Sequence, residues 1–118
     1  IKMTSVQFIS FAGRLIGFEA WGHTGYAPAG KDIVCAGVST LVQTTVLGLE
    51  KLIGIKVTVN QEKKTGHFYC RIASNTEEEK QVQADFVLHL TYLGLQQIAT
   101  EYKDYVRVSI KEVEKNEV

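Results

Sequence analysis

A chain of 118 residues, 45% apolar and 22% charged, has the size and composition of one globular domain and lies outside the compositions of disordered chains. We expect a single domain over residues 1–118, able to bury about two-thirds of its unfolded surface with no metal or disulfide. Thirteen basic residues balance thirteen acidic ones, which tells against a general electrostatic grip on nucleic acid, so no direct nucleic-acid binding is expected.

In chain order, residues 3–9 ("MTSVQFI") and 15–21 ("LIGFEAW") read as strands around a turn at Ala12-Gly13. A glycine-rich loop follows over 22–31, with Gly22, Gly25, Gly30 and the single proline, Pro28. Asp32 ends the loop and starts a helical pattern. Val34, Val38, Leu41, Thr45, Leu49 and Leu52 recur at helical spacing, and Gly54 is a natural stop. The β-branched Val42, Thr44, Thr45 and Val46 weaken the intrinsic helix propensity, so packing must hold this helix, and it is expected to be largely buried.

Residues 55–60 ("IKVTVN") and 67–73 ("HFYCRIA") alternate and form a hairpin around Lys63, Lys64 and Gly66. Asn75-Thr76 before Glu77, Glu78 and Glu79 predicts a helix start, with a cap and acids set against the helix dipole. That helix is expected to reach about Tyr102, with Val82, Phe86, Leu90, Leu93 and Ile98 as its apolar stripe. Residues 105–110 ("YVRVSI") form the last strand, and the charged tail after it is expected to fray. The order β-β-α-β-β-α-β predicts an α+β fold: two helices packed on one face of a mostly antiparallel or mixed five-stranded sheet.

No apolar run is read as long enough to cross a bilayer and no signal-peptide pattern opens the chain, so a cytoplasmic protein with no membrane contact is expected. The two cysteines, Cys35 and Cys70, make no metal-like spacing and no C-x-x-C, which predicts two free thiols in a reducing compartment. No P-loop, dinucleotide fingerprint or zinc site is present in the sequence, so no metal and no cofactor are expected.

The chemistry gathers around the loop. With Asp32 as N-cap, Cys35 falls in the first helical turn, where unpaired N–H groups and the dipole favour a thiolate; the alternative is a small buried hydrophobe. His23 stands at the other end of the loop, either as a turn residue or as a base for the thiol. A loop between such a pair can fold over a substrate and exclude water. Trp21 and Tyr26 flank His23 and either line a pocket or simply pack. Cys70 alternates with Phe68 and Ile72 and reads as core, while His67 and His89 show no partner pattern. Ser39 lies one turn beyond Cys35 on the same helix face, placed to line a substrate site or to hydrogen-bond locally.

"GHTGYA" (22–27), a short gap, and "DIVCAGVS" (32–39) resemble the signature of the ribosomal-processing cysteine protease family, often called Prp. Thr24 stands where that pattern usually has alanine. The resemblance implies His23 as base and Cys35 as nucleophile, with Gly22, Tyr26, Asp32 and Ser39 as supporting or substrate-binding residues, although capping is the simpler role for Asp32. It implies a loop over 24–32 that is mobile without substrate, and a bacterial, cytoplasmic homodimer. The implied substrate is the N-terminal extension of a large-subunit ribosomal protein, the twenty-seventh, with apolar and aromatic residues before the scissile bond. Two other readings stand beside it: a non-enzymatic ribosome-associated binding module, and a thiol-transfer protein, for which no resolving cysteine lies nearby.

Overall fold

Strand β1 (Thr4–Phe11) and strand β2 (Arg14–Trp21) are joined by Ala12 and Gly13 at φ 52° and 82°. Two consecutive residues at positive φ are what a tight turn needs to follow the twist of its flanking strands. The computed structural model describes residues 3–22 and 33–114. The chain continues through helix α1 (Ile33–Leu47), a π-helical segment (Gly48–Ile53), β3 (Val57–Glu62), β4 (His67–Ile72), helix α2 (Glu78–Glu101) and β5 (Val106–Val113).

The five strands lie in the order β3-β4-β2-β1-β5. All neighbours are antiparallel except β1 and β5, so the sheet is mixed. Register puts Val6 beside Ala20 and Phe8 beside Phe18, and these side chains point to the helices. Phe8 meets Phe18 at 5.6 Å and Tyr92 of α2 edge-on at 5.4 Å. The same sheet face presents Ala20 and Phe68 to Val38 and Val42 of α1. Both helices therefore cover one face, and the core lies between them and the central strands. The α+β architecture expected from the sequence is the one observed.

Several boundaries and faces differ from expectation. β5 runs three residues past Ile110: Lys111, Glu112 and Val113 pair with Ile9, Ser10 and Phe11. A ladder to β1 satisfies this backbone whatever its side chains, so the charged tail begins later. β3 is shifted towards the hairpin and is largely exposed, as an edge strand. Glu77, not Asn75 or Thr76, occupies the N-cap of α2 and gives no side-chain cap; the Thr76 hydroxyl instead donates to the Ala73 carbonyl at 2.6 Å.

In α1 the ladder widens after Leu47 into a π-helical turn that closes at Gly54, whose N–H donates to the Leu49 carbonyl at 3.1 Å. The wider turn rotates the residues beyond it about the helix axis, so Leu52, expected on the buried stripe, is 86% exposed. The helix is thus less buried than its composition suggested. The continuous helical run Ile33–Ile53, 21 residues, is long and apolar enough to cross a membrane by length and composition, contrary to the sequence reading. Its Val34, Val38, Val42, Thr45 and Leu49 are nevertheless buried against the domain.

The largest difference is in α2. Val82 (50%), Phe86 (75%), Leu90 (65%) and Leu93 (61%) face outward. The core takes Ala84, Leu88, Thr91 and Leu95 instead. Both rows have helical spacing, so periodicity cannot choose between them. In this rotation Asp85 Oδ1 accepts from the Leu15 N–H at 2.7 Å, and Arg14 Nη2 meets Glu78 at 2.6 Å, both at the start of β2.

Candidate active site

Cys35 is the third residue of α1 and is half-buried. The first four N–H groups of a helix lack intrahelical partners, and α1 carries no acidic side chain in its first turn to offset the positive end of its dipole. An anion is therefore favoured where Cys35 stands.

The thiol opens on a cleft of about 260 Å³ between the start of α1, the end of β2 and the β3–β4 hairpin. Its floor is apolar, built from Ala20, Val38, Val42 and Phe68. Phe68 is itself held flat against Phe18, with ring centroids 6.0 Å apart and planes 6° from parallel. Gly22 lines the cleft at the point where the chain leaves β2. Its φ is 78°, and a Cβ there would stand 2.7 Å from the Met3 carbonyl oxygen, so only glycine lets the strand end and turn this close to β1.

Three residues singled out from the sequence thus come together in one cleft: Gly22, Cys35 and Ser39. His23, Tyr26 and Asp32, with the rest of the loop over 24–32, lie outside the described residues.

Sequence reasoning missed two features. Gln43, one turn beyond Ser39, lines the same cleft and donates its Nε2–H to Ser39 Oγ at 3.0 Å. The spacing 35, 39, 43 was the available signal. His67, read as having no partner, stands at the rim and meets Glu19 Oε2 through Nε2 at 2.5 Å, with the Trp21 ring 6.2 Å away. That pair spans two strands 48 residues apart, and nothing local announces it. His89 likewise has a carboxylate partner, Asp85, one turn earlier on α2 at 3.0 Å.

The two thiols differ sharply. Cys70 is fully buried on β4, as expected, and burial, with a smaller contribution from Glu50, pushes it up to about 12. It is an inert core thiol at neutral pH.

The family described as "Cysteine protease Prp" matches residues 3–107. The chain is 30% identical over 95 residues to the ribosomal processing cysteine protease Prp of Bacillus subtilis, covering 80% of this chain and 85% of that protein. It superposes with a TM-score of 0.81 and 27% identity on the crystal structure of the S. aureus ribosomal processing protease Prp in complex with a covalently linked product peptide, over 92% of this chain and all of that one. The S. aureus enzyme with a substrate peptide gives a TM-score of 0.77 at 25% identity, with the same coverage. A thiol at a helix start beside an apolar-floored cleft is consistent with such enzymes, and this chain is a member of the Prp family of cysteine proteases.

Proposed function

We propose that the chain is the endopeptidase that removes the N-terminal extension of a large-subunit ribosomal protein, the twenty-seventh, in the bacterial cytoplasm. The observation that carries this is Cys35 in the first turn of α1, opening on the apolar-floored cleft beside Gly22. The relatives' designation as ribosomal processing proteases, and the product and substrate peptides bound by the S. aureus enzyme, support the substrate class. A floor of Ala20, Val38, Val42 and Phe68 suits an apolar or aromatic side chain next to the scissile bond.

In this mechanism His23 takes the Cys35 proton and the thiolate attacks the scissile carbonyl carbon. The N–H groups at the start of α1, that of Cys35 among them, receive the oxyanion. Collapse breaks the C–N bond, and His23 gives its proton to the leaving amine. Water, deprotonated by His23, then hydrolyses the thioester and restores the thiol. Tyr26 and Asp32 act as supports, Asp32 through the helix start.

The enzyme works as a homodimer. The exposed Leu47, Leu52, Leu90 and Leu93 line an apolar groove of about 870 Å³ across the two helical segments, and Phe86 lies beside it next to Leu52; contiguous exposed apolar surface of this kind marks an association site.

The test is mass spectrometry of the ribosomal-protein precursor before and after incubation. Wild type should release the N-terminal peptide, Cys35→Ala should release none, and His23→Ala should slow release by about a hundredfold or more. Undiminished cleavage by Cys35→Ala would sink the reading.

A further inference from the structure

Two strands form the edges of the sheet, β5 on one side and β3 on the other. Natural edges are usually guarded by charge, proline or a bulge. β5 carries Arg107, Lys111 and Glu112 along its length. β3 reads VTVNQE, with no lysine, arginine or proline, and its register with β4 runs unbroken from Val57 to Glu62. It is regular, unguarded and largely exposed.

Register fixes which of its backbone groups are unused. The Ala73 N–H donates to the Lys56 carbonyl at 3.0 Å, so these two residues are a hydrogen-bonded pair. In an antiparallel ladder such pairs alternate with pairs that are not bonded to each other. Thr58, Asn60 and Glu62 therefore turn their N–H and C=O groups to β4, and Val57, Val59 and Gln61 turn theirs away from the sheet. Among the described residues, the backbone of these three makes no hydrogen bond on that side. Three rungs of a ladder stand open.

The open edge leads into the cleft that holds Cys35. Gln61 and Glu62, at the end of β3, line that cleft, and Gln61 stands opposite Phe68 of its floor. A strand added outside β3 would lie three strand spacings from β2, about 14 Å, which an extended chain covers in about four residues.

We propose that one flank of the peptide substrate adds to the free edge of β3 as a sixth strand, pairing with the backbone of Val57, Val59 and Gln61. The proposal rests on the cleft being a peptide site, as set out above, and names what holds the peptide outside it. The grip is backbone to backbone, tolerant of side-chain identity, and begins about four residues from the scissile bond.

The experiment uses peptides that wild type cuts from a random-sequence library, so the choice does not depend on the ribosomal precursor. Each is made with three residues on both sides of the cut, then lengthened to eight on one side or the other. Lengthening on one side only should raise kcat/KM by about tenfold or more. Along that flank, N-methylation of successive amides should cost about three- to tenfold at every second residue and little between. Val59→Pro removes an outward N–H and spares the ladder to β4, a place where an edge strand accepts proline. It should cost the long peptide about three- to tenfold more than the short one, whereas Val59→Thr, which keeps the N–H, should not. The N-methyl scan needs only wild type, so it decides the matter even if Val59→Pro does not fold.

Equal kcat/KM for short and long peptides, or N-methylation costs without the two-residue period, would overturn the proposal. Loss of a dimer in Val59→Pro with the long-peptide advantage intact would give the edge to a second copy, and would overturn it too. If library peptides behave as expected while the ribosomal precursor stays uncut, the pairing is supported and the substrate assignment above is what fails. If wild type cuts no peptide at all, the cleft is not a peptide site and the proposal falls with it.

Discussion

The hydroxyls of Thr45 on α1 and Thr91 on α2 are hydrogen-bonded to each other in the buried contact between the helices. Each also reaches a carbonyl of its own helix, Leu41 at 2.7 Å and Val87 at 3.1 Å. Two protons serve three contacts, so one proton is shared, and either hydroxyl can donate across the helices. Either Thr45→Val or Thr91→Val leaves the other hydroxyl buried without its cross-helix partner. Each single change should cost about 1–2 kcal/mol in urea unfolding, and the double change less than the sum of the two. Strict additivity would show that the bridge contributes nothing.

Cys70 makes stability fall at high pH. Its thiol has an ordinary value of 9.0 and is held near 12 in the fold, mainly by burial. Between these values the folded chain keeps a proton that the unfolded chain has lost. Its contribution is complete below about pH 9 and declines as pH rises towards 12. Urea midpoints measured across this window should fall less steeply for Cys70→Ala than for wild type. In the native protein at neutral pH, iodoacetamide should label Cys35 and leave Cys70 untouched until denaturant is added.

Arg71 is the second strained group. It stands on β4 opposite Gly17, only 5% exposed, and Nε and Nη2 are buried with no hydrogen-bond partner among the described residues. The remaining nitrogen, Nη1, reaches only the Tyr69 hydroxyl at 3.5 Å. A buried guanidinium with two of its three nitrogens unpartnered is a cost, whereas its aliphatic stem packs usefully. Arg71→Met keeps a stem of similar length and removes the charge. It should leave stability unchanged or raise it by up to about 2 kcal/mol, read as the melting temperature. A clear loss of stability would mean that the charge has a favourable role.

Features encoded by neighbouring residues were legible in the sequence, and features encoded across the chain were not. The Ala12-Gly13 turn, the Gly54 stop and the sharing of one helix face by Cys35 and Ser39 depend on residues close together in the chain, and local chemistry announced them, while Gly22 came from the family resemblance. β5 pairing past Ile110 and the His67–Glu19 contact depend on partners about a hundred and about fifty positions away, and no local pattern carries that. The face of α2 was misread for a different reason. Its sequence holds two regular apolar rows, and the larger residues are in the outer one. Burial arguments choose the bulkier row; the packed row is the other, and that choice is visible only in long-range contacts such as Asp85–Leu15 and Arg14–Glu78. A helix with a second apolar row has a second surface to cover.

That second surface gives the last prediction. Phe86, Leu90 and Leu93 on α2 lie beside Leu47 at the end of α1 and Leu52, which the π-helical turn carries outward. Leaving a large aliphatic or aromatic side chain in water forgoes about 1.5–3 kcal/mol relative to full burial, and five such residues in one patch make association strongly favourable. A second copy presents the same patch, and a two-fold axis brings like against like, so the contact closes on itself as a dimer rather than growing into a fibre. Sedimentation velocity should find a dimer at micromolar concentration. Leu90→Lys sets two ammonium groups near the axis and should yield monomers. Because Leu90 contributes little to the core, far-ultraviolet circular dichroism of the monomer should match wild type. A Leu90→Lys chain that still sediments as a dimer would place the interface elsewhere, and a wild-type monomer would leave the outer row of α2 without the partner assigned to it.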